Sequence, residues 1–188
     1  MRIGEYIHQA LRSEQPLERI TGDRAFVALS IEVLIAAGAL ADLLKKQLVY
    51  GKPIDRSAFN SALELVKDCA ETAAGQQEGA EALIPIWPRM THAALGGYGE
   101  YAELLEALLE GCENNKLDTT NVIEEVGDIS WYGALALDEL NDTGLSRPDL
   151  TLAANIAKLK ARYPDKFTLE ASEARDTDAE MAAIRGAA

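Results

Sequence analysis

Gly99-Glu100-Tyr101-Ala102-Glu103 is followed, after a polar break, by Glu124-Glu125-Val126-Gly127-Asp128. Each segment places two carboxylates three residues apart in an apolar, helix-periodic stretch, and residues i and i+3 share a helix face. Two such helices packed antiparallel would direct four carboxylates toward one point. Because uncompensated charge is very costly in a helical core, we expect a divalent cation there, and oxygen-only ligands suit Mg²⁺ or Mn²⁺. The four carboxylates belong to Glu100, Glu103, Glu125 and Asp128.

The composition predicts a packed, all-α protein. Of the 188 residues 48% are apolar, aromatic residues are few at 6%, and alanine, leucine and glutamate dominate. A net charge of −13 opposes binding to a nucleic-acid backbone or to an anionic membrane. Two cysteines and the lack of a secretory leader pattern predict a reduced, cytoplasmic protein. The longest apolar stretch, from Ala25 to Leu44, contains Glu32 and Asp42, so we expect a buried helix rather than a membrane span.

Periodicity and turn residues predict a series of helices joined by short breaks. Residues 111–119 form a polar loop in this interpretation, with Asp118, Thr119 or Thr120 capping the helix that follows. Gly96, Gly97 and Gly99 weaken one helix, which predicts close approach of another backbone or of a ligand. The expected helices cover 3–12, 24–49, 57–74, 90–110, 121–140 and 150–161, with another starting near 81 and disturbed at Pro85 and Pro88.

The order and spacing of two pairs of segments predict an internal repeat. Residues 38–44 align with residues 99–105, and residues 64–68 align with residues 124–128, with a spacing that differs by one residue. The first copy has Ala39 in place of Glu100 and Leu65 in place of Glu125, so it lacks half of the carboxylates. The prediction is a degenerate structural repeat over 1–79, an active repeat over 80–169, and a flexible or partner-docking tail over 170–188.

The acidic pairs resemble the motif of MazG-like, all-α nucleoside triphosphate pyrophosphohydrolases. The similarity is good over roughly residues 90–168 and weak over 3–75. It extends to the segments His92-Ala93-Ala94-Leu95-Gly96, Trp131-Tyr132, Tyr50-Gly51-Lys52-Pro53-Ile54-Asp55-Arg56, and Asn155-Ile156-Ala157-Lys158-Leu159-Lys160-Ala161-Arg162-Tyr163-Pro164-Asp165-Lys166-Phe167. The resemblance implies an antiparallel bundle of two fused pseudo-repeats that hydrolyses a (deoxy)nucleoside triphosphate to the monophosphate and pyrophosphate, with Mg²⁺ or Mn²⁺ as the cofactor.

The resemblance also implies roles for individual residues. Glu100, Glu103, Glu125 and Asp128 would be the metal ligands. Glu125 and Glu124 are the candidate catalytic carboxylates, although Glu124 points about 100° away from Glu125 on an ideal helix. The substrate-binding candidates are His92, Trp131, Asn155, Lys158, Arg162 and Tyr163, with Lys158 and Arg162 one turn apart and able to reach the same phosphate chain.

The sequence differs from the family pattern at two places, and several alternative functions stay open. Gly99 stands where many members of the family carry another glutamate, and the loop at 111–119 differs from the usual form, which leaves the nucleotide preference undecided. The alternative activities are hydrolysis of phosphoribosyl-ATP or of a nucleoside diphosphate, and the alternative class is a non-catalytic binding or regulatory module. The sequence leaves open whether the chain is a monomer or a homodimer.

Overall fold

The computed structural model describes residues 1–14, 22–75, 82–83 and 87–187. The fold is all-α, as predicted, with one minimal antiparallel pairing in which Gly22 faces Leu83 and Asp23 faces Ala82. A 3₁₀ turn over Leu11–Ser13 follows the first helix. In chain order the elements are α1 (Ile3–Ala10), β1 (Gly22–Asp23), α2 (Arg24–Tyr50), α3 (Arg56–Gly75), β2 (Ala82–Leu83), α4 (Pro88–Asn114), α5 (Thr119–Asp142), α6 (Pro148–Arg162), α7 (Leu169–Glu173) and α8 (Thr177–Ala187).

The chain divides into two compact units: Met1–Glu18 together with Trp87–Ala188, and Arg19–Ile86. This division differs from the predicted boundary between residues 79 and 80, because α1 packs with the second half of the chain. The indole Nε1 of Trp131 on α5 donates hydrogen bonds to the Ala10 carbonyl at 2.8 Å and to the Ser13 hydroxyl at 3.2 Å. Ile7 of α1 is buried. The amino-terminal helix therefore belongs structurally to the unit that carries the acidic pairs.

The smaller unit contains a helical hairpin of α2 and α3 whose contacts involve small side chains. The buried described residues of this hairpin are Ala36, Ala62 and Cys69. By length and composition alone, Phe26–Tyr50 could cross a membrane, and it is the one such helix in the described ranges. Only 6% of its apolar 18-residue stretch is buried. This exposure contradicts the expectation that α2 is a buried helix.

The larger unit is built on the hairpin of α4 and α5. Pro88 occupies the first turn of α4, where its missing N–H costs nothing, and Asn115 ends the helix in the left-handed conformation at φ 49°. The Asp118 carboxylate caps α5 by accepting hydrogen bonds from the N–H groups of Thr120 at 2.9 Å and Asn121 at 3.2 Å. The helix α4 thus runs through Gly111, and the loop is shorter than predicted.

Two further differences concern the ends of predicted elements. The helix expected from residue 81 is absent at 82–83, where β2 lies, and Glu81 and Pro85 lie outside the described residues. The segment predicted over 170–188 as a flexible or partner-docking tail contains most of α7 and all of α8, and α8 packs along α6. Polar groups fix this segment: the Thr168 hydroxyl accepts from the Ala171 N–H at 3.0 Å, and Asp176 accepts from the Ala179 N–H at 2.9 Å.

Candidate metal centre

The hairpin of α4 and α5 brings three of the four predicted metal ligands together. One carboxylate oxygen from each of Glu100, Glu103 and Glu125 lies within 4.8 Å of the other two. Two of these residues are separated by one turn on α4, and the third faces them from the second turn of α5. Asp128 is not a member of this group, although its charge acts on Glu100 and on Glu125. We call Glu100, Glu103 and Glu125 the carboxylate cluster.

Burial and mutual repulsion set the electrostatics of the carboxylate cluster. Glu125 is only 6% exposed, Glu100 is half-buried and Glu103 is exposed. Burial, followed by the charges of Glu103 and Glu100, raises the pKa of Glu125. Burial, followed by the charges of Glu103 and Asp128, also raises the pKa of Glu100, while a hydrogen bond with Glu125 lowers it. Within the described ranges, no ion pair with a lysine or arginine neutralises these three carboxylates, so the cluster concentrates uncompensated negative charge.

The donor set and the spacing fit a divalent cation. Oxygens bound to one Mg²⁺ at roughly 2.1 Å lie at most about 4.2 Å from each other, so carboxylate oxygens already within 4.8 Å need only small side-chain adjustments. A bound cation would also oppose the burial and the mutual repulsion that raise the pKa values of Glu100 and Glu125. The residues that could hold a metal are those of the carboxylate cluster.

A polar cavity extends from the carboxylate cluster toward the turn between α4 and α5. Its volume is about 380 Å³, and a second cavity of about 510 Å³ at the turn shares Ala107, Glu110 and Asn121 with it. Glu124, the other predicted catalytic carboxylate, is exposed and lies outside the cluster, although its charge contributes to the raised pKa of Glu125. The first cavity is lined by Glu103, Glu106, Ala107, Glu110, Asn121 and Glu125.

Tyr132 lies within the Trp131-Tyr132 segment of the family resemblance but was not among the predicted site residues. It lies one turn after Asp128 on α5, and its ring lies against Gly96, one turn before Glu100 on α4. A Cβ atom at Gly96 would overlap Cε1 of the tyrosine, so only glycine allows this approach. Burial, followed by the charges of Glu100 and Asp128, raises the pKa of Tyr132. The available sequence signal was the spacing of Tyr132 from Asp128.

The three glycines of α4 differ in their surroundings. Gly96 admits the Tyr132 ring, and a Cβ at Gly97 would lie in ordinary contact with Tyr132 at 3.5 Å. Gly99 faces open space, and a Cβ added there would have no neighbour within 4 Å. The predicted close approach is therefore found at Gly96, and the group that approaches is an aromatic side chain rather than a backbone.

His92 and Trp131 lie together with Tyr132 in an aromatic cluster. The rings of His92 and Tyr132 meet edge to face with centroids 5.6 Å apart, and those of Trp131 and Tyr132 do so at 5.0 Å. The indole N–H of Trp131 is used to hold α1 and the 3₁₀ turn. Nδ1 of His92 is buried and has no hydrogen-bond partner among the described residues. Trp131 was predicted to stack on the substrate, and the structure shows that its indole N–H also makes hydrogen bonds that hold the amino-terminal segment.

The predicted phosphate-binding residues lie on α6, and within the described ranges no hydrogen bond or ion pair joins them to the carboxylate cluster. Asn155 is exposed and Lys158 is half-buried. The Arg162 guanidinium lies 5.1 Å above the Tyr163 ring, and Tyr163 in turn contacts Phe167 with centroids 5.3 Å apart. Nη2 of Arg162 donates to the Ser172 carbonyl at 3.0 Å. The carboxy-terminal segment thus occupies part of the surface predicted to bind phosphate.

Comparison of the chain with protein-family models, with curated proteins and with solved structures found no match.

Proposed function

We propose that this chain is a Mg²⁺-dependent nucleoside triphosphate pyrophosphohydrolase built on a MazG-like bundle. The observation that carries the proposal is the carboxylate cluster: oxygens from two neighbouring helices, within 4.8 Å of each other, around a carboxylate that is 6% exposed. A protein gains no stability from three unneutralised carboxylates at such distances, because burial and repulsion both oppose their ionisation. A binding role for a cation explains their placement.

The reaction would break the anhydride bond between the α and β phosphates. A water molecule gives its hydroxyl to phosphorus, its proton passes to a carboxylate, and the products are the nucleoside monophosphate and pyrophosphate. A bound Mg²⁺ would neutralise the charge that develops on the phosphate oxygens. Glu125 is best placed to orient the water or accept its proton, because it is buried and its pKa is raised. Glu124, more exposed, would serve as a second acceptor.

Other residues would bind the substrate. Tyr132 could donate a hydrogen bond from its hydroxyl, since its ring lies against Gly96, one turn before Glu100 on α4. His92 offers a buried nitrogen with no described partner. Asn155, Lys158 and Arg162 share one side of α6 and would bind the phosphate chain, with Tyr163 beside them.

The proposal includes a duplicated architecture in which the first repeat has lost the metal site. Two helical hairpins, α2–α3 and α4–α5, contain the aligned segments in the same order. Asp42 aligns with Glu103, yet its carboxylate pairs with Lys45 at 2.5 Å and with Lys46 at 2.6 Å. A carboxylate neutralised by two lysines does not need a metal ion, which supports loss of the site in the first repeat.

The test is pyrophosphate release from a panel of ribo- and deoxynucleoside triphosphates with Mg²⁺. We expect turnover with the wild type and a loss of at least about 100-fold in Glu125→Gln, the effect typical of removing a catalytic carboxylate. Glu113→Gln, at the exposed end of α4, is the matched control and should keep full activity. No turnover on any nucleotide by a folded, metal-bound wild type would refute the proposal.

A further inference from the structure

The carboxy-terminal segment and the end of α6 carry opposite charge. Residues 158–166 contain Lys158, Lys160, Arg162 and Lys166 against one aspartate, a net charge of +3. Residues 169–187 contain five acidic residues against two arginines, a net charge of −3. The positive charge at the end of α6 contrasts with the net charge of −13 of the whole chain. The acidic helix α8 packs along α6.

The contact centres on Glu180, a carboxylate that is only 3% exposed although it belongs to the terminal helix. Arg175 binds it through two hydrogen bonds, Nε to Oε1 at 3.1 Å and Nη2 to Oε2 at 2.7 Å. Nε of Arg162 lies 3.8 Å from the same Oε1. The hydrogen bond from Arg175, with the charges of Arg162 and Lys158 in support, lowers the pKa of Glu180. Two arginines from two segments thus contact one buried carboxylate, and the half-buried Lys158 lies one turn before Arg162 on α6.

The Glu180 carboxylate does not accept a hydrogen bond from every donor of these cations. Nε of Arg162 is buried and has no acceptor within the described residues, because Glu180 stops 3.8 Å away. A buried charged donor without a partner is costly. A phosphate group carries three acceptor oxygens and more negative charge than a carboxylate, and arginine binds it in the same forked geometry. A phosphate would therefore fit these cations better than Glu180 does.

We propose that Lys158, Arg162 and Arg175 form an anion site for the phosphate chain of a nucleotide, and that the Glu180 carboxylate of α8 fills this site until a ligand displaces it. The helix α8 then acts as an internal competitor, which weakens binding by the free energy needed to release Glu180. The identity of the ligand rests on the proposed function. The anion site itself rests on the contacts of Glu180 and Arg162 alone.

The test uses the full chain in EDTA, so that the carboxylate cluster cannot contribute through a metal ion. Inorganic pyrophosphate is titrated by calorimetry into the wild type, Glu180→Gln and Asp178→Asn. Loss of a charge-assisted competitor should tighten binding to Glu180→Gln at least about tenfold. Asp178→Asn removes the same charge from an exposed position of α8 and should change the affinity less than about twofold. Equal affinities in all three proteins, or equal gains in both variants, would overturn the proposal.

Two further measurements test displacement of α8 without a substitution and identify the ligand. Hydrogen exchange on the wild type needs no substitution: pyrophosphate should accelerate exchange in residues 177–187, and unchanged or slower exchange there would contradict displacement of α8. Steady-state kinetics with Mg²⁺ identifies the ligand, since the substrate assignment requires a lower KM in Glu180→Gln. An unchanged KM with tighter pyrophosphate binding would overturn that assignment and leave a site for free phosphate anions. Absence of turnover would refute the proposed function without affecting the metal-free binding test.

Discussion

Glu125 is the residue at which stability and the proposed function conflict. Its side chain is buried between other acids, and burial, followed by the charges of Glu103 and Glu100, raises its pKa above the ordinary value near 4.5. A group whose pKa is raised on folding binds more protons in the folded state than in the unfolded state. Its contribution to stability is therefore complete below about pH 4.5 and is lost as the pH rises through the folded-state pKa.

We predict that the metal-free protein becomes more stable as the pH falls from about 8 to about 5. Glu125→Gln should raise the melting temperature at the upper end of this range by a few degrees and should flatten the pH dependence. The measurement is thermal unfolding in EDTA across this range, repeated with Mg²⁺, which should stabilise the wild type more than the variant. Hydrogen bonds from Lys45 and Arg175 lower the pKa values of Asp42 and Glu180 respectively. The contributions of these two carboxylates to the stability of the protein are therefore lost mainly at pH values below this range. A variant with the same pH profile as the wild type would contradict this account.

Gly96 and Gly99 provide a second comparison, because they lie one turn apart on α4 in different surroundings. A Cβ at Gly96 would overlap the Tyr132 ring, so Gly96→Ala should destabilise the protein by about 1–3 kcal/mol and displace the tyrosine. Gly99→Ala meets open space and should stabilise the helix by about 0.5–1 kcal/mol. Urea unfolding of both variants measures the difference. Equal effects would show that the ring does not need the space at Gly96.

At the scale of elements, Arg89 joins α4 to its neighbours. Its guanidinium, 18% exposed, binds both oxygens of Glu14 at 2.7 and 2.6 Å and also reaches three acids of α5. The hydrogen bonding of Arg89 to the accepting carboxylate of Glu14 is the main cause of the raised pKa of Arg89. The shortest distances to the acids of α5 are 2.8 Å to Asp138, 3.4 Å to Glu139 and 3.2 Å to Asp142.

We expect Arg89→Ala to lower the free energy of unfolding by about 1–3 kcal/mol, because it leaves several half-buried carboxylates without their common partner. Arg147→Ala is the matched control. Arg147 pairs with Asp149, but the two side chains are 69% and 56% exposed, so its loss should cost less than about 0.5 kcal/mol. Denaturant unfolding of both variants tests the difference, and a loss in Arg89→Ala no larger than in the control would mean that solvent already screens the network.

Sequence reasoning located most of the helices because their signals are local. Apolar periodicity, Pro88 at a first turn and Asp118 at an N-cap place α4 and α5 without knowledge of the remaining chain. It did not locate α8, because this helix is held by a buried ion pair of Glu180 rather than by an apolar stripe. It selected the acids of the cluster from their spacing but missed Tyr132, since a close approach of Gly96 and a ring 36 residues later is not a local signal.

At the scale of the whole molecule, the repeat hypothesis requires a single metal site in the chain. The second repeat has the acids Glu100, Glu103 and Glu125 in one cluster. The aligned positions of the first repeat are Ala39, Asp42 and Leu65. Of these three positions only Asp42 is acidic, and it already pairs with Lys45 and Lys46. Asp68, which aligns with Asp128, is the one other carboxylate that the first repeat retains of the four, so the first repeat should not bind a divalent cation.

We therefore predict that Mn²⁺ binds with a stoichiometry set by the second repeat alone. In a calorimetric titration, Glu103→Gln should weaken Mn²⁺ binding by at least about tenfold, as expected for loss of a charged oxygen ligand. Asp42→Asn removes the aligned carboxylate and is the matched control; it should leave the affinity and the stoichiometry unchanged. If Asp42→Asn removed one class of sites, the first repeat would be a working metal site, and the asymmetry at Ala39 and Leu65 would have no functional meaning. Equal weakening in both variants would instead indicate diffuse attraction of the cation to a chain with a net charge of −13, because general attraction depends on total charge and not on the position of one carboxylate.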